Sequence, residues 1–480
     1  EEGDKHKDVA GTAFVAFIAS GAFVCATPRP SDVALHVSPH HRYAPLPMPM
    51  LEAVIGLEVH AQMNTQSKMF CACDNDAWGK GPNTTVCPIC MGHPGTLPVP
   101  NAEAIAKAVK ASLAIGCTVQ EDCHFDRKHY FYPDLPAGFQ ISQYDFPLAK
   151  GGSVTYDVLA ADGRKAGEKT CRITRLHMEN DAGKLTHAGS STLCDFNRAG
   201  TPLMEIVTEP DLRSAQEAVA FAQELRRILI AVNASDADMF KGMMRFDASI
   251  SLREKGTEKL NPRSEIKNLN SFKALERALT YEEERLRKLW EESGGPLPKN
   301  ITVGWHDDEG CTRVLREKEE AKDYRYFPEP DIPPLQCTAE ELEEIRRGLP
   351  PLPRTQRQKY IDGGLDAAQA QMLLDAPQLQ KIFDAVLGHT KDVRRASGIV
   401  FTQLIGAAEK HGKSMEELPN PDALLDLFDL VASNVISSNA AKGVIEEMVK
   451  TGKSAGEIVE EQGLTQIADS AELQDLVARA

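Results

Sequence analysis

The sequence predicts an α+β protein that becomes purely helical towards its C-terminus. Three observations carry that prediction. Stretches in the first two thirds alternate apolar and polar residues with the period of a strand. Long amphipathic helices with recognisable caps lie between them. After "PEPDIPPL" the strand period disappears and apolar residues recur only at helical spacing. A chain of 480 residues exceeds one hydrophobic core, so roughly two to four domains are expected.

The elements follow in order. "AVIGLEVHAQM" sets Ile55, Leu57 and Val59 on one side of a strand and Val54, Gly56, Glu58 and His60 on the other. "AEAIAKAVKASLAIG" reads as a helix with Asn101 as N-cap and Gly116 at its C-terminus. "SVTYDVLAADGRKAGEKTCRITRLHME" reads as hairpin strands around Asp162-Gly163. A capped helix starts near Ser214, and a second long one, from "SFKALERALTYEEERLRKLWEES", ends at Gly294-Gly295-Pro296. An antiparallel sheet with helices on one face accounts for residues 51–335. Residues 336–400 are expected to be helical, starting from a cap at Thr338, and residues 401–480 to form short helices. No internal repeat is visible.

Composition narrows the function classes. Hydrophobic content of 42% and charged content of 26% suit a globular protein. The formal net charge of −16 argues against coating nucleic acid by charge alone, and leaves room for a local basic surface. Eleven cysteines, several at paired spacing, suit a reducing compartment better than a disulfide framework. No stretch is long enough to read as a membrane span. The apolar run Val9–Ala26 follows Lys5 and Lys7, yet Glu1, Glu2, Asp4 and Asp8 spoil the basic region of a signal peptide. Residues 1–50 therefore read as a start placed too far upstream or a nonhomologous leader, with an organelle transit peptide as the alternative.

Cys71 and Cys73 in "MFCACD", then Cys87 and Cys90 in "NTTVCPICMG", form a C-x-C and a C-x-x-C pair. Two close thiol pairs on a connecting loop supply the tetrahedral sulfurs that a structural Zn²⁺ takes, with Pro88 and Gly92 bending the second knuckle. A lone redox motif explains one pair and not both.

Acids and cations gather in several separate segments. The first strand carries Glu58 and His60 at i, i+2; "HMENDAGK" carries His177, Glu179, Asp181 and Lys184; "PLMEIVTEPD" carries Glu205, Glu209 and Asp211. "RFDASISLR" adds Arg245, Asp247 and Arg253, and "SEIKNLNS" adds Glu265, Lys267 and Asn268. Surface charge is the default for each alone. Together they supply what phosphoryl transfer needs: carboxylates for Mg²⁺, and Lys and Arg for phosphate charge. No Walker-type loop or protein-kinase glycine loop is present, so an ATP site here is of another kind. "FDRKHYFYPDLPAGFQISQY" interleaves Arg127, Lys128 and His129 with Tyr130, Phe131 and Tyr132, a mixture that stacks on bases or packs a core. Tyr324, Arg325 and Tyr326 in "DYRYFPEPD" line a pocket or brace one.

These segments, together with "GHPGTLPVPN", "DFNRAGTPLMEIVTEPDLRS" and "KDYRYFPEPDIPPL", closely resemble the B-subunit of the bacterial-type tRNA-dependent amidotransferases, in the family's order over about residues 51–480. The resemblance implies ATP-dependent transamidation of misacylated Glu-tRNA(Gln) or Asp-tRNA(Asn). The side-chain carboxylate is activated as an acyl phosphate and then attacked by ammonia. It implies that Glu58, His60, Glu179, Asp247 and Glu265 serve the metal and phosphate site, and that Lys184, Arg245 and Lys267 are its cations. It implies a glutaminase partner, the amidase A-subunit of the complex, with a small C-subunit in a heterotrimer. It implies a cytoplasmic setting, or an organelle matrix if the leader is a transit peptide. It implies a cradle-shaped catalytic domain (51–335, zinc site at 71–90), a helical domain (336–400) and a tRNA-contacting tail (401–480) that stops short of the family's usual end. The rival reading is a noncatalytic zinc-containing tRNA-binding scaffold. One departure stands out: Asn180 occupies a place where the family commonly has a second acid, which puts any metal contact there in doubt.

Overall fold

The computed structural model describes residues 50–159, 165–317 and 324–466. The leader up to residue 49, the predicted Asp162-Gly163 turn and the last part of the tail lie outside these. In chain order the strands are β1 (Leu51–Gln62), β2 (Thr118–Val119), β3 (Asp126–His129), β4 (Phe139–Ser142), β5 (Ala149–Lys150), β6 (Ser153–Leu159), β7 (Lys165–Asn180), β8 (Lys184–Ala188), β9 (Ser191–Asp195), β10 (Pro202–Thr208), β11 (Met244–Glu254), β12 (Ser264–Leu269), β13 (Ile301–His306), β14 (Cys311–Glu317) and β15 (Phe327–Pro328). Among them run helices α1 (Ala102–Ala114), α2 (Ala215–Ala231) and α3 (Phe272–Ser293). The rest is helical, from α4 (Ala339–Arg347), α5 (Pro353–Asp362), α6 (Ala367–Asp375) and α7 (Pro377–Thr390) through to Glu461.

The fold is mixed α+β. Among the described residues ten strands form one sheet, ordered β14-β13-β12-β11-β1-β10-β7-β5-β2, with β6 on β7. β1 lies near the centre, antiparallel to both β10 and β11. The β12–β13 pair is parallel, as a crossover through α3 allows. Alternation on β1 divides the sheet as the sequence predicts. Ile55, Leu57, Val59 and Ala61 are at most 1% exposed and share a core with Phe221 and Leu225 of α2 and Leu275 and Leu279 of α3. Truncating Ile55 to Ala would cost about 2–5 kcal/mol by cavity formation. Glu58 and His60 point to the opposite face. There a small second sheet, β15-β3-β4, packs against β7.

The helices start where their caps predict. Asn101 accepts from Ala104 N at 3.1 Å, Ser214 from Glu217 N at 3.2 Å and Ser271 from Ala274 N at 2.9 Å. α3 ends at Gly294, whose φ of 73° is left-handed. α4 carries a full capping box between Thr338 and Glu341, and Leu342 and Ile345 of this helix pack on the first core. A second core, running from Tyr360 to Val459, is built from helices alone. Arg357 of α5 joins the two cores: it meets Asp157 of β6 at 2.7 Å and Glu224 of α2 at 2.5 Å. Among the described residues no helix is long and apolar enough to cross a membrane.

Candidate active site and metal centre

Strand pairing brings the scattered acids together. Across β1, Glu58 stands opposite Asp247 of β11 and Val207 of β10, while His60 stands opposite Arg245 and Glu205. Glu205 in turn faces His177 of β7, and Leu203 faces Glu179. Directly opposed residues project to the same side of a sheet. Five adjacent strands therefore present one polar row on the face away from α2 and α3.

At one end of this row His60 Nε2 lies 3.3 Å from Glu205 Oε2, and His177 Nε2 lies 3.6 Å from the same oxygen. Glu179 accepts from Ser142 Oγ at 3.1 Å, and Lys128 Nζ of β3 stands 4.0 Å away. Ligand atoms from His60, Glu179 and Glu205 all lie within 4.8 Å of one another. Two carboxylates and an imidazole in that space fit a divalent cation. Burial opposes a charge on His60, His177 and Glu205. For Glu205 the two imidazoles win, holding its carboxyl well below the usual range. For His60 burial is the largest single influence and lowers it, but the hydrogen bond and charge of Glu205, with Asp247, together outweigh it and raise the pKa. His177 is lowered by burial, and its Nδ1 is buried without a partner among the described residues.

At the other end Lys267 Nζ bridges Asp247 at 2.6 Å and Glu265 at 2.8 Å. Burial disfavours the ammonium, and the two acids more than compensate, raising its pKa. The β11–β12 register shifts between Phe246 and Ala248, so β12 carries an extra residue beside Asp247, and Asn268 takes a φ of 70° there. Glu58 lies between the two ends. Burial raises its pKa, and Glu205, Asp247 and Glu265 raise it further. Such a carboxyl takes up a cation readily, since the cation offsets both the burial and the repulsion that lift it.

Seven of the eight residues expected at the reaction centre thus share one face: Glu58, His60, Glu179, Arg245, Asp247, Glu265 and Lys267. Arg245 is there in a different capacity. Its guanidinium grips the buried Asp181 at 3.0 and 2.8 Å, so its two terminal nitrogens are already engaged. Lys184 is the exception. It starts the separate hairpin β8–β9, is exposed, and makes no side-chain contact with the cluster among the described residues. Being near Glu179 in sequence does not bring it close, because the chain leaves the sheet at Asp181. Lys128 stands beside Glu179 instead. Glu205 belongs in the metal set more clearly than Asp247 or Glu265, which Lys267 neutralises. The doubt over Asn180 also resolves. It alternates away from Glu179, and its Oδ1 accepts from Ile141 N at 2.7 Å, so it ties β7 to β4 rather than facing the acids. Phe131, weighed as a core residue, is 90% exposed.

The four cysteines converge as their spacing predicts: Cys71, Cys73, Cys87 and Cys90 hold their sulfurs within 4.8 Å of one another. Cys87 N donates to Cys90 Sγ at 3.2 Å, and Gly92 turns the chain at φ 65° where an added Cβ would lie 2.6 Å from Ala137 Cα. Cys71 hydrogen-bonds Cys90 and lowers its thiol to about 5, helped by Lys68. Burial raises Cys73 to about 11. Lys68 is fully buried, with Nζ 2.7 Å from Thr85 O and 3.8 Å from Cys90 Sγ. A buried ammonium beside four sulfurs suits a cluster that carries negative charge once metallated, and the donor set fits Zn²⁺.

The chain also matches known proteins along most of its length. Residues 53–343 match the family model described as the GatB/GatE catalytic domain, and residues 381–480 match the model described as the GatB domain. The chain is 45% identical over 432 residues to the B-subunit of the aspartyl/glutamyl-tRNA(Asn/Gln) amidotransferase of Moorella thermoacetica, covering 89% of each chain. It is 45% identical to the protein of the same name in Symbiobacterium thermophilum, over 88% of this chain and 86% of that one. The Persephonella marina protein is also 45% identical, over 89% of both.

Proposed function

The chain belongs to the GatB family of amidotransferase B-subunits, and we propose from this that it converts misacylated Glu-tRNA(Gln), Asp-tRNA(Asn) or both into the amidated forms by way of an acyl phosphate. The observation that carries the reading is the single polar row holding Glu58, His60, Glu179, Glu205, Asp247, Glu265 and Lys267. A carboxylate does not react with ammonia because oxide is too poor a leaving group. Phosphorylation by ATP turns that oxygen into a phosphate that leaves, and ammonia then forms the amide.

His60, Glu179 and Glu205, with Glu58 beside them, would hold Mg²⁺, which when bound supplies positive charge against the transferring phosphoryl group. Lys267 lies where it neutralises charge at the far end of the row. Lys128 does the same beside Glu179. His177, whose pKa burial lowers, stands 3.6 Å from the Glu205 carboxylate and helps to position it. The depth of these groups limits water, which would hydrolyse an acyl phosphate. Among the described residues no cysteine carries a glutaminase arrangement: Cys117, Cys123 and Cys171 are buried, their thiols pushed up to about 12 by burial. Ammonia is therefore assigned to a partner amidase, the A-subunit, with a small C-subunit to complete a heterotrimer. Residues 71–90 form a structural zinc knuckle, the helices of residues 336–400 a linking domain, and residues 401–480 a tRNA-contacting tail. The compartment is the cytoplasm, or an organelle matrix if the leader is a transit peptide.

The test is a charging assay with the reconstituted complex, each misacylated tRNA, ATP and glutamine. Amide formation that needs ATP and is abolished by Glu205→Gln supports the reading. Full activity in that variant overturns the site assignment. The rival reading, a noncatalytic scaffold, expects acids scattered over the surface, which is not how these strands arrange them.

A further inference from the structure

Most of the charges on the polar face answer one another. Arg245 has Asp181, Lys267 has Asp247 and Glu265, and Lys128 has Glu179. Arg175 does not follow this pattern. It lies on β7 two residues before His177 and so on the same face, roughly 7 Å along the strand. Its Nε is buried and, among the described residues, has no hydrogen-bond partner. Among the described residues no carboxylate pairs with its guanidinium. Directly across the sheet stands another cation, Lys150 of β5, whose Nζ donates, among the described residues, only to the backbone oxygen of Asp145, at 3.3 Å. Like charges in opposed positions destabilise a sheet unless something anionic lies between them.

The side chain is also held in place. The guanidinium carbon lies 5.9 Å from the ring centroid of Tyr144. Tyr144 stacks on Tyr326 at 4.4 Å, with the rings 12° from parallel. Tyr326 belongs to the segment that also brings Tyr324 over Lys128 at 5.5 Å. An arginine fixed by stacking, with its donors unspent, is prepared for a planar anion.

Resting on the amidotransferase reading above, we propose that Arg175, assisted by Lys150, is the anion-reading group of this site and takes an oxyanion of the reactants. That oxyanion is either the side-chain carboxylate of the esterified amino acid or a phosphate of the nucleotide. Arg175 would thus separate a Glu or Asp substrate from its uncharged amide product, or else anchor ATP alongside the metal set.

The experiment uses the reconstituted complex with Arg175→Met and Arg175→Lys, and measures binding without turnover of Glu-tRNA(Gln), Gln-tRNA(Gln) and ADP. If the carboxylate is the ligand, Arg175→Met weakens Glu-tRNA(Gln) about ten- to a hundredfold, the range of a lost charge-assisted bond, and leaves Gln-tRNA(Gln) and ADP within about twofold. If a phosphate is the ligand, ADP weakens by that factor and the two tRNAs keep their ratio. Arg175→Lys, which keeps the charge and loses the fork, falls between wild type and Met in either case. Should Arg175→Met prove misfolded by zinc content or thermal midpoint, the Lys variant decides alone on the same selective shift. Unchanged affinity for all three ligands, or an equal loss for all three, overturns the proposal. A wild-type complex that forms no amide in the charging assay instead removes the amidotransferase reading, and Glu205→Gln without effect removes its metal site, so each failure is read separately.

Discussion

Replacing Arg245 by Met tests how the polar row is held in shape. Asp181 is 3% exposed, and Arg245 supplies two of its charged hydrogen bonds, at 3.0 and 2.8 Å. What remains is Gln62 Nε2 at 2.9 Å, Ala182 N at 2.9 Å and Arg198 Nε at 3.8 Å. Stripping one partner from a buried pair costs about 3–5 kcal/mol. The surviving donors, and an Arg245 side chain that is 28% exposed, place this case near the lower end, about 3 kcal/mol. Asp181→Asn in the same chain removes the orphaned charge, so the double variant should recover about 2 kcal/mol of that loss. Urea unfolding followed by the fluorescence of Trp290 and Trp305, both in the first core, reads the loss of stability. A loss under about 1 kcal/mol, or strictly additive single variants, would refute the view that Arg245 serves Asp181.

Protein purified without added zinc should contain one equivalent of Zn²⁺, and Cys87→Ser should lose it; metal analysis of both checks this, and a zinc-free wild type sinks the knuckle. Lys184→Ala should keep transamidation within about twofold of wild type, as expected of an exposed hairpin residue, whereas Lys128→Met should lower kcat by about ten- to a hundredfold, on the order of one lost charged contact; a rate assay that reverses this order returns Lys184 to the site. Asn180→Ala should destabilise by about 1 kcal/mol through the lost Ile141 bond and leave metal affinity unchanged, as calorimetry with Mg²⁺ would show. Gly92→Ala should lower zinc retention, because the new methyl meets Ala137; unaltered retention would mean that the knuckle tolerates a shifted backbone.

The legible part of this protein was local. Two-residue alternation placed Glu58 and His60 together on one face, and capping chemistry placed the starts at Asn101, Ser214 and Thr338. Close cysteine spacing located the thiol cluster. Contacts between strands were not legible, since nothing in β10 announces that it lies between β1 and β7. Glu205 sits in a segment of buried apolar neighbours, Leu203, Met204 and Ile206, and pattern alone gave it no more weight than Glu209. Lys184 drew attention because it stands five residues after Glu179, while Lys128 reaches that carboxylate from a different sheet. Arg175 carried only one signal, its i, i+2 and i, i+4 spacing to His177 and Glu179 on one strand. That spacing is visible in the sequence, but the lack of a counter-ion among the described residues is visible only in three dimensions.

The polar row also has a kinetic meaning. Its members come from β1, β7, β10, β11 and β12, and the pairings of β1 with β10 and β11 join residues far apart in the chain, so they close large loops. The chain cannot assemble this chemistry early: β1 is made before its partners and must wait for β10 and β11 before Glu58 and His60 acquire neighbours. Folding should accordingly be slow, as in other proteins rich in distant pairings, with reactivity the last property to emerge. No N-terminal or C-terminal half would retain part of the activity, and a nascent chain would have none until its sheet had been zipped from the centre outward.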